Sequence, residues 1–299
     1  MNKKEKYRQY CKNNSVALYQ NDWWLDAVCG DNWDVSLYEN NENIIGAFAF
    51  PFKKKYNLKL ISMPMLTLGL GIVAQNKSVT EDLLKQIPAF DLLDLYFLAN
   101  ENIEDLEWKG FKKNIRHTYH LNDITNTEKV FGNFNSSTRQ QIRKAAKIVS
   151  VIENNNINLL YKMVSLTFNR QKKKTPYSLS YVKNIYEACK KNKACKLLVA
   201  KDKEENIHGA CLLAYDKQTS YYVMGGSDPK YKSSAAYSLL MWEAIKEASK
   251  HSKEFDFCGS TIPSIAKFFS GFGGEPREYL HVKKINSSAL KLFLKLKGK

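Results

Sequence analysis

A short run of small residues followed by lysines could bind a phosphate group. The run is Gly225-Gly226-Ser227-Asp228, and Lys230, Lys232 and Ser234 follow it. It stands between a strand-like and a helical stretch, so its backbone N–H groups and the positive helix end would face an anion above the sheet. Alternatively, the glycines only serve a tight turn that needs positive φ. If the run binds a donor molecule, Gly226→Val should abolish binding and leave the fold intact.

Three side chains near this run are candidates for proton transfer: Asp228, Asp256 and Tyr222. Asp256 stands between two phenylalanines, where a buried carboxylate is costly unless it is paired. It is either a general base or, as we favour, an acceptor for the backbone of the following loop. Asp228 could accept a proton from an amine or only close an Asx turn. Tyr222 could protonate a leaving group, although a tyrosine at the edge of a core is the commoner case.

The charge of the chain, +16 in total, is unevenly distributed. Residues 1–125 contain 15 Lys and Arg against 16 Asp and Glu, whereas residues 126–299 contain 31 against 14. Such a surplus attracts polyanions such as nucleotide phosphates, RNA or anionic lipid headgroups. Arg139 and Arg143, four residues apart at a predicted helix start, are the best anion candidates. The lysine run 172–174 is either a second phosphate contact or solvated surface.

Several common chemistries lack their motifs in this chain. There is no G-x-x-x-x-G-K-[ST], no G-x-G-x-x-G after a strand and no G-x-S-x-G, which argues against a P-loop NTPase, a nicotinamide enzyme and an α/β-hydrolase. The six cysteines form no C-x-x-C pair and the histidines are scattered, so no metal site is predicted. A signal-peptide pattern and an apolar stretch of about 20 residues are also missing, and we expect a cytoplasmic protein.

The elements that position these residues alternate between short strands and helices, which predicts an α/β (α+β) fold. In the second part we expect a helix starting at Ser137 with a capping box to Gln140, then a helix, a hairpin and a third strand that leads through the glycine run into a long helix. A short strand, a helix and a closing strand follow. The expected ranges of these later elements are 181–190, 196–215, 220–224, 234–250, 255–258, 262–269 and 278–283.

The two parts of the chain repeat one pattern, in which an aspartate-bearing strand, a Gly-Phe turn and a Tyr/His strand follow one another. The corresponding segments are 94–97 and 256–259, 109–111 and 270–272, and 118–121 and 279–282. A tandem repeat of one α/β unit explains this order. We therefore predict an N-terminal unit over residues 1–125 and a basic C-terminal unit over residues 126–299.

The order of motifs in the second part resembles the Fem-type branch of the GNAT acyltransferase superfamily, which includes peptidoglycan-bridge aminoacyltransferases. The segments that carry the resemblance are 221–228, 239–245, 255–260 and 265–274. The resemblance covers about residues 130–285 and extends more weakly to the first part. It implies tandem GNAT-like units, each a mixed, mostly antiparallel sheet flanked by helices, with a degenerate first unit and the acyl-donor site in the second.

The resemblance also implies an N-acyltransferase that moves an acyl or aminoacyl group to an amine, in cell-envelope (peptidoglycan) or small-molecule metabolism. The co-substrate would be acyl-CoA or aminoacyl-tRNA, with no permanently bound cofactor. The donor would contact Gly225, Gly226, Ser227, Lys230, Lys232, Ser234, Arg139 and Arg143. The chain departs from the usual CoA-binding pattern Q/R-x-x-G-x-G/A, because residues 231–236 lack the central glycine.

The alternative function is a non-catalytic protein that binds RNA or a membrane surface and retains the GNAT fold. The basic surplus supports it. The tail, residues 290–297, alternates leucines with lysines and is either a basic amphipathic element that contacts an anionic membrane or a helix that packs on its own domain. We favour the packed helix.

Overall fold

The computed structural model describes residues 1–41, 43–98, 103, 106–259 and 262–296. The chain divides into two compact units. Unit 1 comprises Met1–Arg116 together with Glu278–Lys299, and unit 2 comprises His117–Arg277. The structure thus places the last segment of the chain in unit 1, whereas the sequence pattern suggested a boundary near residue 125 and a second unit that continues to the C-terminus.

Besides a 3-10 helix at Leu18–Gln20, three α-helices and seven strands of the first half of the chain are described. In chain order they are α1 (Lys3–Asn13), α2 (Asp22–Cys29), β1 (Trp33–Asn40), β2 (Asn43–Pro51), β3 (Lys53–Lys55), β4 (Leu58–Ser62), β5 (Val73–Ala74), α3 (Lys77–Lys85), β6 (Leu92–Leu98) and β7 (Lys112–Leu121).

The second half contains the remaining elements. They are α4 (Thr127–Asn133), α5 (Ser136–Ala145), β8 (Ser150–Glu153), α6 (Ile157–Arg170), α7 (Leu179–Lys191), β9 (Cys195–Lys201), β10 (Ile207–Tyr215), β11 (Thr219–Ser227), α8 (Ala236–Ala248), β12 (Glu254–Asp256), α9 (Pro263–Gly271), β13 (Glu275–Ile285) and α10 (Ser288–Leu296), with a 3-10 helix Pro229–Ser234 between β11 and α8.

Unit 1 contains two sheets. One has the strand order β1-β2-β5, and in the other β3, β4, β6 and β13 lie side by side. β13 runs antiparallel to β6, and its Leu280 and Val282 are buried in the same core as Leu93, Leu95 and Phe97 of β6. The final strand of the chain is therefore part of the core of unit 1.

Unit 2 has the strand order β7-β12-β11-β10-β9-β8, in which only the β11–β12 pair is parallel. Cys211 and Leu213, alternate residues of β10, are buried in one core with Leu240 and Ala244 of α8. On the opposite side, α6 packs closely against β11. The predicted mixed, mostly antiparallel α/β architecture with flanking helices is confirmed.

Local signals explain most of these elements. Helix α5 begins near the predicted position, but Asn135 caps it: its Oδ1 accepts from the N–H of Thr138 at 2.7 Å, and Ser137 is already inside the helix. The capping box from Ser137 to Gln140 was therefore wrong by two residues. Helices α1, α4 and α6 were not predicted, although Asn156, whose side chain caps α6, is a standard start signal.

Of the helices in the described part of the chain, none combines the length and the apolar composition needed to cross a lipid bilayer.

Candidate functional site

Strands β11 and β12 separate shortly after they meet. Their parallel pairing covers three residues of each strand and ends at Tyr221 and Asp256. β11 then continues beside β10 to Ser227, and it carries a bulge, because Leu212 pairs with Met224 while Leu213 pairs with Tyr222. A bulge bends its strand and increases the local twist. Among the described residues, the carboxyl half of β11 therefore has no strand partner on the β12 side, and we call the space on that side of the strand the cleft.

Two hydrogen bonds show to which side of β11 each backbone N–H group points. The N–H of Asp228 donates to the carbonyl of His208 in β10 at 3.0 Å, whereas the N–H of Ser227 donates to Thr167 Oγ1 at 3.2 Å. Successive N–H groups of a strand point to opposite sides. The N–H of Gly225 consequently points away from β10, toward the side that β12 has left.

Two tyrosine hydroxyls lie directly beside Gly225. Tyr222 of β11 and Tyr237 of α8 are hydrogen-bonded through their hydroxyl groups. A Cβ added at Gly225 would overlap both oxygens, so only glycine leaves room for the pair. Burial raises the pKa of both phenols well above its usual value, and both therefore stay protonated at neutral pH.

Aromatic rings close the base of this cleft. Phe257 stacks on Phe269 of α9 with ring centroids 4.7 Å apart, and Tyr222 meets Phe269 edge-on at 6.2 Å. Phe268 lies 6.2 Å from Tyr237. The tyrosine hydroxyls thus lie in a largely apolar environment, which accounts for their raised pKa values.

The glycine run is part of a strand and not a turn, which corrects the sequence interpretation. Gly225, Gly226 and Ser227 are the last residues of β11, and neither glycine has a positive φ. Gly226 is required for another reason: a Cβ there would overlap the backbone of Met163 and Val164 in α6. The expectation that Gly226→Val leaves the fold intact is therefore wrong.

Asp228 begins the loop after β11. Its Oδ1 accepts from the backbone N–H of Lys230 at 2.9 Å and caps the 3-10 helix, as in the Asx-turn alternative. Lys230 and Lys232 are exposed, and Lys230 Nζ lies 5.1 Å from the ring centroid of Tyr231. The loop therefore presents two solvated cations beside the carboxyl end of β11.

A buried histidine, which the sequence analysis missed, holds this loop. His208 Nδ1 lies 2.9 Å from Ser234 Oγ and its Nε2 lies 3.1 Å from Asp202 Oδ2. The ring also stacks on Tyr231 with centroids 4.1 Å apart. Burial alone would raise the pKa of Asp202, but hydrogen bonds from Asn206 and His208 outweigh it and lower the pKa to about 2. Ser234 thus has a structural role as the partner of His208. A single histidine at the start of a predicted strand was the only sequence signal that could have indicated this contact.

Asp256 belongs to a separate polar network. Its Oδ1 accepts from the hydroxyl of Thr118 and, at 2.6 Å, from the N–H of Cys258. Burial raises the pKa of Asp256, while Thr118, His120, Cys258 and Arg277 act in the opposite direction. The favoured interpretation, a carboxylate that satisfies the following loop, agrees with these contacts.

Arg139 and Arg143 lie on α5. Arg139 Nη1 donates to the carbonyls of Gly132, at 2.8 Å, and Phe134, and it thereby satisfies the carboxyl end of α4. Arg143 is exposed, with its guanidinium carbon 5.9 Å from the ring centroid of Phe131. Arg139 is therefore occupied by the protein itself, whereas Arg143 remains on the surface.

The structure thus places the predicted site residues in five separate parts of unit 2. Tyr222 and Gly225 lie together at the cleft, joined by the unpredicted Tyr237. Gly226 faces α6, and Ser227 joins that helix through Thr167. The loop carries Asp228, Lys230, Lys232 and Ser234. Asp256 lies on β12 and the two arginines on α5, each with contacts of its own.

Comparison with known proteins identifies the architecture. Residues 132–264 match the family model described as an acetyltransferase (GNAT) domain. The crystal structure of FemX superimposes with a TM-score of 0.76 at 15% identity, covering 98% of each chain. A tandem GNAT protein from the clavulanic acid biosynthesis pathway gives a TM-score of 0.54 at 9% identity, with 94% of this chain and 92% of that one covered.

A third structure with this fold is the C-terminal domain of an Agrobacterium fabrum protein described as a lysylphosphatidylglycerol synthetase. Its TM-score is 0.60 at 12% identity, and the alignment covers 98% of this chain and 94% of that one. No curated protein matches the chain significantly. Together, the family match and the structural similarity confirm the resemblance to the Fem-like GNAT branch that the motifs indicated.

Proposed function

Since the chain has a Fem-like GNAT fold and carries an acyltransferase domain, we propose that it transfers an acyl or aminoacyl group to an amine, with the reaction centred on Gly225 of β11. The observation that carries this proposal is a convergence of groups. The Gly225 N–H points into the cleft, and the hydroxyls of Tyr222 and Tyr237 lie beside the same glycine.

The proposed chemistry needs one addition and one elimination. The amine nitrogen attacks the carbonyl carbon of the donor, and the Gly225 N–H stabilises the negative oxygen that develops, as in other acyl transfers. The carbon–oxygen or carbon–sulfur bond to the leaving group then breaks, and the tyrosine pair supplies the proton that the leaving group takes up. Asp228, half-buried at the end of the same strand, is the proposed acceptor of the amine proton.

The raised pKa of the tyrosine pair favours an ester donor over a thioester. A thiolate with a pKa of about 8.5 is a weaker base than a tyrosinate, so proton transfer to it from either buried phenol would be uphill. A ribose alkoxide is a much stronger base than a thiolate, so the proton transfer from either phenol is less unfavourable for an ester donor. If the tyrosines act as the acid, aminoacyl-tRNA is therefore the better donor.

Charge and loop structure support the same choice. Unit 2 contains 25 Lys and Arg against 14 Asp and Glu. The loop that would hold a CoA pyrophosphate lacks the central glycine, forms a 3-10 helix and is attached to His208. We propose Lys230, Lys232 and Arg143 as phosphate contacts for a tRNA end. A cell-envelope precursor amine is the acceptor class that this donor suggests.

The proposal is tested by a thermal-shift and native mass spectrometry comparison of acyl-CoAs, aminoacylated tRNA and uncharged tRNA. We expect stabilisation by charged tRNA that exceeds that by uncharged tRNA, and transfer of the aminoacyl group to an amine acceptor that Tyr222→Phe slows. If an acyl-CoA stabilises the protein and aminoacylated tRNA does not, the proposal of an ester donor is refuted. Undiminished turnover in Tyr222→Phe and Tyr237→Phe would refute the role of the tyrosine pair as the general acid.

The second candidate, a non-catalytic RNA-binding protein, is favoured by the same surplus of Lys and Arg in unit 2. It predicts binding that falls steeply with salt, does not distinguish charged from uncharged tRNA and is unchanged in Tyr222→Phe. A preference for the charged form would exclude it.

A further inference from the structure

The last helix of the chain leaves much of its apolar side exposed. No residue of α10 is buried, and Leu292, Phe293 and Leu296 are 61%, 50% and 80% exposed. At 100° per residue, Lys291 and Lys295 border this exposed side, whereas Leu290 and Leu294 lie toward the other side and are half-buried. Helix α10 is thus packed only in part, and the choice between a packed helix and a membrane-contacting element stays a prediction; Lys297 lies outside the described residues.

A second exposed element of unit 1 also combines a large apolar side chain with lysines. The β3–β4 hairpin turns at Tyr56 and Asn57, which both have positive φ. Tyr56 is 86% exposed, and Lys55 Nζ lies 5.3 Å from its ring centroid. Lys53, Lys54 and Lys55 are all exposed, so the hairpin presents an aromatic ring among three cations.

Asp91 joins these two elements at one end of the sheet. Its carboxylate accepts from the backbone N–H of Lys59, three residues after the hairpin tip, at 2.7 Å. Its carbonyl accepts from the N–H of Asn286, two residues before α10, at 2.9 Å. The register agrees, because Leu92 of β6 pairs with both Leu60 of β4 and Ile285 of β13.

We propose that unit 1 docks on anionic lipid bilayers through this docking face, defined as the hairpin tip Lys53–Tyr56 together with α10. The chemistry matches an anionic bilayer on two counts. Exposed leucine, phenylalanine and tyrosine side chains suit the interfacial region, where amphipathic helices bury their apolar side and tyrosine sits at headgroup level. Lysines border them, and neither element contains an aspartate or glutamate.

The alternatives fit this surface less well. Two copies of the face would bring lysines against lysines with no carboxylate to pair them. RNA would use the lysines and leave the leucines in water. The inference does not rest on the proposed acyl transfer, since every residue of the docking face belongs to unit 1 and the transfer site belongs to unit 2.

The test is co-sedimentation of the full chain with vesicles of phosphatidylcholine alone and with phosphatidylglycerol added. The wild-type chain is expected to bind only the anionic vesicles. Leu292→Ser/Leu296→Ser should weaken binding at least about tenfold, because each leucine loses interfacial burial. Lys53→Ser/Lys54→Ser should weaken it roughly fivefold for each lysine removed.

The control is Lys172→Ser/Lys173→Ser, which removes two exposed lysines from unit 2 and should change binding by less than about twofold. Circular dichroism checks that the surface variants fold. Failure of the wild-type chain to bind anionic vesicles, undiminished binding of the leucine variant, or equal loss in the control would overturn the proposal. Self-association through α10, seen as a dimer in gel filtration that the leucine variant abolishes, would also overturn it.

Discussion

Replacing Gly226 by alanine tests the close contact between β11 and α6. The added Cβ would overlap the carbonyl of Met163 and lie 2.5 Å from the backbone nitrogen of Val164. An ordinary contact needs at least about 3.4 Å, so α6 must withdraw from the strand by roughly 1 Å. The obstructing atoms are backbone in mid-helix, so no side-chain rotation relieves the overlap.

Overpacking of this kind costs about 2–3 kcal/mol. For a unit of this size the melting temperature should fall by roughly 4–12 °C. Gly132→Ala is the matched control: Gly132 lies in α4, and a Cβ there would meet nothing within 4 Å. It should stabilise the protein by about 0.5–1 kcal/mol, since alanine is the better helix former.

Urea denaturation followed by circular dichroism measures both variants. If Gly226→Ala unfolds within about 0.5 kcal/mol of the wild-type chain, the contact does not constrain the strand and the reasoning fails. If it is destabilised as expected, donor binding should also weaken, because a displaced α6 shifts the carboxyl end of β11. A loss of binding in Gly226→Val would then report a damaged fold and not a lost donor contact.

Three further predictions follow from the hydrogen bonds of unit 2. Tyr222→Phe and Tyr237→Phe should each lower turnover with an ester donor by about 10²-fold or more, as expected for loss of a general acid, without lowering donor affinity; equal losses of kcat and affinity would contradict this. The lowered pKa of Asp202 contributes stability that is present above its ordinary pKa of 3.8 and is lost as pH falls toward about 2, so Asp202→Asn should flatten the acid limb of the stability profile between these values. A profile that keeps its slope would show that other carboxylates dominate. Arg139→Met should cost about 1 kcal/mol by freeing two carbonyls at the end of α4, whereas Arg143→Met should leave stability unchanged and weaken RNA binding; the reverse assignment would refute the roles given to the two arginines.

The sequence predicted most strands and helices of unit 2 in their order because local signals specify them, but it missed α4, β8 and α6. Alternating apolar residues, turn residues and capping residues lie within a few positions of the helix or strand that they define. It also indicated Tyr222 and Asp256 as side chains of interest. What the sequence could not provide was distance: Tyr237 is fifteen residues from Tyr222, and Asp202, His208 and Ser234 meet only after three elements have packed.

The glycine run is a second case in which a contact between distant segments could not be predicted from the sequence. From sequence, two consecutive glycines indicate a turn, since positive φ is the commonest reason for glycine. In the structure the reason is proximity: Gly225 accommodates two tyrosine hydroxyls and Gly226 accommodates a helix backbone. A close approach between distant segments has no local signature, and helix α6, which makes one of these approaches, was itself missed.

The repeated pattern explains why the unit boundary could not be read from composition. By sequence, the Tyr/His strand of the first repeat is β7 and that of the second is β13. In the structure, β7 pairs with the aspartate strand β12 in unit 2, while β13 pairs with the aspartate strand β6 in unit 1. Each repeat thus supplies the final strand of the other unit.

In both units the aspartate strand lies beside a histidine strand, although the side-chain contacts differ. In unit 1, His281 of β13 lies 2.8 Å from Asp94 of β6, and in unit 2, Asp256 of β12 pairs in register with His120 of β7. The aspartate in each unit therefore meets the histidine strand of the opposite repeat. Because β13 places Leu280 and Val282 in the core of unit 1, a fragment that ends before β13 leaves that core open. Each unit therefore includes a strand from the repeat that forms most of the other unit, and a division of the chain by charge at residue 125 does not describe this exchange.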